Sequence, residues 1–307
     1  SSVIGGPEKT LCHVSKSARN LSDALKANGI EASPETLRRT LKRLGCRMQG
    51  NRKVNSGGAD HPDRDEQFQH ITRLTKKALK NKNPVISGDT KKKEVLGVDK
   101  NGGKEWHRKG ESPAVADHDF IHPDAPRAYP YGIYDLKANT DFVNVGTDHD
   151  TSRFAVASIR AWWKAEGSAA YPHGKYLLIL ADGGGSNGSR RKQWKYELHR
   201  LSNEIGIPIR VCHYPPGTSK WNKIEHCLFP FISMNWRGVP LTDYQTIVDL
   251  IRNTKTRTGL SVQCQLDTNK YDSGVQITDE QMLEIKLRGD KFHKDWNYTL
   301  QSSVLNM

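Results

Sequence analysis

Three carboxylates sit where their spacing could do chemistry. Asp89 closes the string Pro84-Val85-Ile86-Ser87-Gly88, and Asp182 closes the apolar run Tyr176-Leu177-Leu178-Ile179-Leu180-Ala181. Glu225 follows a rigid Pro215-Pro216-Gly217 loop in the segment Ser219-Lys220-Trp221-Asn222-Lys223-Ile224-Glu225-His226. Acids at the ends of neighbouring strands would set two oxygen donors side by side, and a helix crossing the sheet edge could supply a third. Hard oxygen donors suit Mg²⁺, which commonly takes one or two carboxylates and keeps several waters. Two such ions, roughly 3.5–4 Å apart, activate an attacking oxygen, stabilise a leaving oxygen and neutralise the phosphate between them. The pattern therefore points to metal-assisted phosphoryl transfer. Asn222 lies three residues before Glu225 and would share its helix face. His226 would point to another side and reach the scissile phosphate.

The competing reading of this region is a nucleotide phosphate loop. Asp182 is followed by Gly183-Gly184-Gly185-Ser186-Asn187-Gly188-Ser189, but the G-x-x-x-x-G-K-[ST] pattern requires Lys where Ser189 stands. The glycines better suit close approach of a nucleic-acid backbone to a metal at Asp182. Arg190, Lys220 and Lys223 surround the same segments as candidate phosphate contacts. Two further clusters, His118-Asp119-His122 and Asp148-His149-Asp150, match no zinc spacing. Asp150-Thr151 also reads as a helix N-cap. Asp148 and Asp150 remain candidates for holding the metal-binding acids from behind.

The net charge of +13 over 307 residues favours a polyanionic partner. Residues 1–80 carry 16 Lys/Arg against 8 Asp/Glu, so the excess is several-fold denser there than in the rest of the chain. Within it, Ala18, Leu21, Ala24 and Leu25 fall at helical spacing and Gly29 is a stop. Ser33-Pro34-Glu35 then opens a second helix with an N-cap, a first-turn proline and an acid at the positive end. Leu37, Leu41 and Leu44 share one face of it, with Arg38, Arg39, Lys42 and Arg43 mainly off that face. This pair predicts a helix–turn–helix that grips DNA. Arg52 and Lys53 lie in a basic linker that could follow the DNA backbone, and a helix runs from Pro62 to about Lys80.

From Asn83 onward the pattern predicts strands at 84–89, 131–134, 142–145, 175–182 and 207–212. Helices are expected over about 151–166, over 189–205 and from near Ser219. The order of three strands, then alternating helix and strand, predicts a mixed sheet with flanking helices, the order of the ribonuclease-H-like fold. Expected boundaries are 1–46 for the helix–turn–helix region, 47–82 for the basic linker and helix, and 83–307 for the catalytic domain. No apolar stretch approaches the roughly 18 residues of a membrane span. The five widely spaced cysteines form no C-x-x-C pair, against a disulfide framework or structural zinc. A reducing cytoplasm fits.

These residues together resemble the DDE transposases of bacterial insertion sequences, most closely the Rhodopirellula-type family. The resemblance is carried by Asp89-Thr90-Lys91-Lys92-Lys93-Glu94, His149-Asp150-Thr151, Ala181-Asp182-Gly183-Gly184-Gly185-Ser186-Asn187-Gly188, Asn222-Lys223-Ile224-Glu225-His226, Asn235-Trp236-Arg237-Gly238, Thr256-Arg257-Thr258-Gly259-Leu260 and Asp295-Trp296-Asn297-Tyr298. The Asn-Lys-Ile-Glu string is similar to a helix of the mariner-like transposases, with Lys223 where those have Pro. The resemblance implies a ribonuclease-H-like catalytic domain, two Mg²⁺ or Mn²⁺ ions held by Asp89, Asp182 and Glu225, and cutting and joining of transposon ends. It implies double-stranded DNA, both ends and target, as partner, a homo-oligomer on that DNA, no membrane, and a place in the bacterial cytoplasm at the nucleoid. The chain opens Ser-Ser rather than Met, and the family implies further sequence ahead of the helical pair. Two other readings stay open: a structure-specific nuclease of the same fold, and a DNA-binding remnant of a transposase without activity.

Overall fold

Capping residues set the first helices. In the computed structural model, Ser17 accepts from the Asn20 N–H at 3.2 Å ahead of α1 (Ala18–Lys26). Ser33 does the same for Thr36 at 3.1 Å ahead of α2 (Pro34–Arg43). The structure describes residues 3–4, 13–14, 17–46, 61–98, 101–115, 125–256 and 259–303. The chain divides into two units, Ser1–Val54 and Asn55–Met307. In the first, β1 (Val3–Ile4) and β2 (His13–Val14) pair antiparallel. The turn between α1 and α2 passes through Gly29 at φ +77°, and Ser22 Oγ donates to the Ala32 carbonyl at 2.6 Å across it. Leu37 is the buried residue of α2, while Arg38, Arg39, Lys42 and Arg43 lie on its open side. Arg38 meets Glu35 at 3.0 Å on that exposed surface. Arg52 and Lys53 lie outside the described residues.

In the second unit α3 (Arg64–Lys80) leads into β3 (Val85–Thr90), β4 (Glu94–Val95), β5 (Arg127–Asp135) and β6 (Thr140–Gly146). Then come α4 (Ser152–Trp162), α5 (Ser168–Ala170), β7 (Leu177–Ala181), α6 (Lys192–Ile205) and β8 (Ile209–His213). The remainder forms α7 (Ile224–Cys227), α8 (Phe229–Asn235), α9 (Tyr244–Arg252), β9 (Ser261–Asp267), α10 (Asp279–Leu283), β10 (Leu287–Gly289) and β11 (Asn297–Leu300). The sheet order is β10-β11-β8-β7-β3-β5-β6-β9, with β4 paired to β5 off that path. β3, β5 and β6 form an antiparallel meander, and β7 and β8 add parallel on the other side of β3. That is the ribonuclease-H-like arrangement the sequence predicts, extended by β9 at one edge and by β11 and β10 at the other.

The pleat sends alternate side chains to opposite faces. Ile86, Ile133, Phe142 and Ile179 turn to one face, where α4 and α6 cover them with Phe154, Ile159, Trp162, Trp194 and Leu198. Val85, Leu178 and Leu180 turn to the other, under Ile71, Leu74 and Ala78 of α3. Further along that face Tyr134, Val143 and Val145 pack against Ile224, Leu228, Phe229, Ile232 and Ile247. No helix among the described residues is long and apolar enough to cross a membrane.

Three details depart from the expected elements. The helix after β6 stops being α at Trp162 and continues as a π-helical stretch, Trp163–Gly167. A Cβ at Gly167 would stand 2.8 Å from the Trp163 ring and 3.1 Å from that of Trp162, so the wide turn threads its backbone between two bulky rings. The segment from Ser219 is not one helix: Ser219–Trp221 is a 3₁₀ turn, Asn222 is extended, and α7 starts only at Ile224. α7 breaks from α8 at Leu228, because Pro230 has no N–H to continue the ladder. Asn222 therefore does not share a helix face with Glu225. Finally, α9 to β11 occupy a stretch where the sequence pattern predicts no element.

Candidate active site

Register brings the two strand-end acids together. β3 and β7 are parallel neighbours with Val85 opposite Leu178 and Ser87 opposite Leu180. The same offset carried two residues on sets Asp89 level with Asp182, on strands about 4.8 Å apart. Both are partly buried. Alternation turns both towards the face that carries α3 and α7.

Glu225 reaches this point because β5 has a gap. Gly132 pairs with Asp89 across the β3–β5 ladder. A Cβ there would meet Ile224 Cδ1 at 2.7 Å, Phe229 at 2.8 Å and Leu228 at 3.0 Å. The missing side chain lets α7 lie on the sheet beside Asp89. Ser87 fastens the helix start: its Oγ accepts from the Ile224 N–H at 3.1 Å and donates to the Asn222 side-chain oxygen. The first N–H of α7 thereby finds a partner it would otherwise lack. Gly132→Ala is expected to push α7 outward, destabilise the fold by about 1–3 kcal/mol and impair any activity that needs Glu225. Thermal denaturation and metal-dependent cleavage, measured together, check this.

Asn222 is the hinge of the arrangement. It is fully buried, and its amide donates to Asp89 Oδ2 at 3.4 Å and to the Gly88 carbonyl at 3.5 Å. The Thr90 N–H donates to Asp89 Oδ1 at 2.8 Å. Asn222→Ala releases both Ser87 and Asp89. Its expected effect is about a 10–100-fold loss of divalent-metal affinity or activity, read by metal titration and by cleavage rate.

Asp182 is set from behind. The His213 ring lies between the Asp182 carbonyl, 2.8 Å from Nδ1, and the Tyr298 hydroxyl, 2.9 Å from Nε2. Trp194 Nε1–H donates to that hydroxyl at 2.9 Å, which leaves the tyrosine proton for His213 Nε2 and the Nδ1 proton for Asp182. Complete burial holds His213 neutral, with its pKa pushed down to about 4. The glycine loop after Asp182 is pinned as well. Asn187 bridges the Tyr131 hydroxyl at 2.9 Å and the Gly88 carbonyl at 3.3 Å, and Ser152 Oγ donates to the Ser186 carbonyl at 2.6 Å. Gly183, Gly184 and Gly185 stay exposed beside the acid.

Burial first, and neighbouring charge second, raises the pKa values of the acids. Burial, then the Asp182 and Glu225 charges, push Asp89 up to about 8 against the bonds from Thr90 and Asn222. Burial, then Glu225 and Asp150, push Asp182 up to about 6 against the Gly184 N–H. Burial also raises Glu225, opposed by His226 and Lys91. Among the described residues, Asp182 Oδ1 is buried without a hydrogen-bond partner. Neighbouring carboxylates, one with an orphaned oxygen, are donors of the kind a hard divalent cation takes.

The other residues singled out in the sequence divide. Asp150 accepts from Thr90 Oγ1 at 3.0 Å, beside the acids. Asp148 instead accepts from the Tyr271 N–H at 2.7 Å, with His149 3.1 Å away, and belongs to the β9 edge. Arg190, Lys220 and Lys223 are exposed near the acid-bearing segments, with Lys220 Nζ lying 5.6 Å from the Trp221 ring centre. His226 folds back on the Lys220 carbonyl at the surface. His118, Asp119 and His122 lie outside the described residues. Sequence reasoning misses Ser87, Gly132 and His213 as parts of the site. The His213–Tyr214–Pro215 string adjoining the rigid loop is the available signal for the last.

Fold and site define a ribonuclease-H-like domain with a carboxylate cluster at the carboxyl ends of its two central strands. The chain belongs to the Rhodopirellula transposase DDE domain family, whose model matches residues 2–302. No curated protein matches it. Among solved structures it is similar to the Mos1 transposase paired-end complex with left transposon end, at 11% identity and a TM-score of 0.41, covering 76% of this chain and 64% of that one. The Mos1 strand transfer complex gives 11% identity, a TM-score of 0.44 and the same coverages. The Mos1 mariner paired-end complex with Mn gives 13% identity and 0.42, over 80% and 71%. The chain thus spans less than two thirds of the first two Mos1 chains.

Proposed function

We propose that this chain is a DNA transposase that cleaves transposon ends and joins the freed 3′-hydroxyl strand to target DNA. The observation that carries the reading is the register-matched pair Asp89 and Asp182, completed by Glu225 on a helix seated over Gly132. Family membership supports the same reading. Asp89, Asp182 and Glu225 would hold the divalent cations, Mg²⁺ or Mn²⁺, whose chemistry is activation of the attacking oxygen and charge neutralisation at the phosphate. The chain's own residues supply the positioning. Thr90 and Asn222 orient Asp89, His213 fixes the Asp182 backbone, and Ser87 anchors the helix of Glu225. The exposed glycines let a DNA backbone approach. Water attacks the end phosphodiester and the 3′ oxygen leaves as a hydroxyl. That hydroxyl then attacks a target phosphodiester and displaces the target strand's 3′ oxygen, which leaves as a hydroxyl, so no protein nucleophile is needed.

End recognition falls to α1 and α2 as a helix–turn–helix, with Arg38, Arg39, Lys42 and Arg43 on its open surface and Arg190, Lys220 and Lys223 gripping phosphates near the acids. The boundaries 1–46, 47–82 and 83–307 are the proposed functional divisions. Joining two ends calls for at least two copies of the chain on DNA, at the nucleoid. Arg39→Ala and Arg43→Ala are each expected to weaken binding to end DNA and lower the log–log salt slope by about one for each phosphate no longer neutralised. Gel shifts across a salt series measure both. The reading as a whole is tested by incubating the full chain with Mg²⁺, labelled duplex carrying the element's own ends, and a plasmid target. Joined products are expected. Cut ends that never join would indicate a nuclease, and binding without cutting would indicate a DNA-binding remnant.

A further inference from the structure

A second cation site lies apart from the three acids. His61 and Asp63 stand at the start of α3, and His293 stands in the segment between β10 and β11, 230 residues after Asp63. One ligand atom from each lies within 4.8 Å of the other two. Asp63 Oδ2 is 3.9 Å from His61 Nδ1 and 3.6 Å from the His293 Nε2 atom. We propose that His61, Asp63 and His293 bind a transition-metal cation, Zn²⁺ or a close analogue, that ties the α3 start to the β10–β11 connection.

Four observations support a ligand here. First, Asp63 occupies the N-cap position of α3, yet its side chain caps no N–H of the helix. An N-cap Asp ordinarily accepts from the second or third residue of its helix; this carboxylate faces two imidazoles instead. Second, the Asp63 N–H donates to His61 Nδ1 at 3.2 Å, which ties the His61 ring to the residue that offers the carboxylate. Third, His293 has a left-handed backbone at φ +48°, uncommon for a residue with a Cβ. Its carbonyl holds the conformation by accepting from the Trp296 and Asn297 N–H groups, both at 2.9 Å. A strained residue kept by such clamps points to function. Fourth, Trp296 is a common floor for both rings: His293 stacks on it at 3.5 Å and 8°, and His61 leans on it at 4.8 Å. Trp296 comes from the Asp295-Trp296-Asn297-Tyr298 string, whose tryptophan has no part in the acid site.

Two imidazoles and one carboxylate are a donor set for Zn²⁺ rather than Mg²⁺. A tetrahedral ion with bonds of about 2.0–2.1 Å separates its ligand atoms by about 3.3 Å. The 3.6 and 3.9 Å edges close to that value by rotation of the half-exposed Asp63 side chain. A cavity of about 410 Å³ lies beside both histidines and is lined also by Trp296, Asp295, Arg190 and Lys195.

The test titrates the full chain, stripped of metal, with Zn²⁺ by calorimetry and with Co²⁺ by visible absorbance. His61→Gln, Asp63→Asn and His293→Gln are compared with an Asp89→Asn/Asp182→Asn variant that disables the acid cluster. One ion per chain, a cobalt d–d band and a raised melting temperature are expected in the acid-cluster variant, and one such ion beyond those held by the acid cluster is expected in wild type. Affinity should fall at least tenfold in each of the three site variants. His61→Gln guards against a fold defect, since His61 is about one-third exposed, and the metal-free melting temperature of each variant verifies folding. If wild type takes up no Zn²⁺, the trio is only a pH-dependent ion pair and the proposal fails. It fails equally if binding disappears with the acid-cluster variant and persists in the histidine variants.

Discussion

Replacing Asp182 by Asn is expected to abolish strand cleavage and, at the same time, to stabilise the metal-free protein. The loss of rate should be on the order of 10³-fold or more, equivalent to about 4 kcal/mol of transition-state stabilisation. Asp89→Asn and Glu225→Gln should lose similar amounts, because the proposed reading has all three groups act on the same phosphate. The gain in stability has a different source. Asp182 Oδ1 is buried without a partner among the described residues and faces the charges of Glu225 and Asp150. An amide of the same shape removes that uncompensated charge, a gain on the order of 1–3 kcal/mol. Opposite signs for activity and stability mark a site kept for function. Single-turnover cleavage and thermal unfolding in chelator, on one set of variants, check both halves. A variant that is inactive and also less stable would mean that Asp182 serves the fold instead.

Stability of the metal-free chain is expected to fall as pH rises from about 4 to 8. Asp89 titrates near 8 and Asp182 near 6 in the folded state, both raised from 3.8. The native state therefore binds more protons than the unfolded chain across that window. Unfolding free energy then declines with pH, by about 1.4 kcal/mol per unit for each proton held. The stabilisation is complete below pH 4 and gone above 8. Millimolar Mg²⁺ or Mn²⁺ should restore stability most at the alkaline end, where the carboxylates are charged, and should do little in Asp89→Asn/Asp182→Asn. Melting temperatures across pH, with and without metal, give the measurement. A flat profile in chelator would show that neither burial nor a shared field raises these carboxyls.

Much of the central sheet is legible in the sequence because its signals are local. The apolar run Leu177–Leu180 is the signature of a strand buried on both faces, and the acid after it can be placed without knowing its neighbours. The continuation of the chain past Leu228 is not legible in the same way. β9 alternates exposed and buried residues at a sheet edge, and β10 and β11 are three and four residues long. Such elements are stabilised by partners far along the chain more than by their own pattern. The supports of the site are hidden for the same reason. Ser87 meets Asn222 across 135 positions, and Gln67 bridges the His213 carbonyl and Asn297 across 146 and 230. Gly132 reads as a weak point in a strand until α7 is laid over it. Spacing alone puts Asn222 on a helix beside Glu225, but its bonds to Ser87 and Asp89 hold it extended instead.

The central claim is that Asp89, Asp182 and Glu225 form one divalent-cation centre. Mn²⁺ uptake followed by electron paramagnetic resonance in wild type and in Asp182→Asn tests it most directly. The account predicts about two ions per chain at this centre in wild type and loss of both, or a tenfold weaker uptake, in the variant. Equal Mn²⁺ uptake by the two proteins would contradict it.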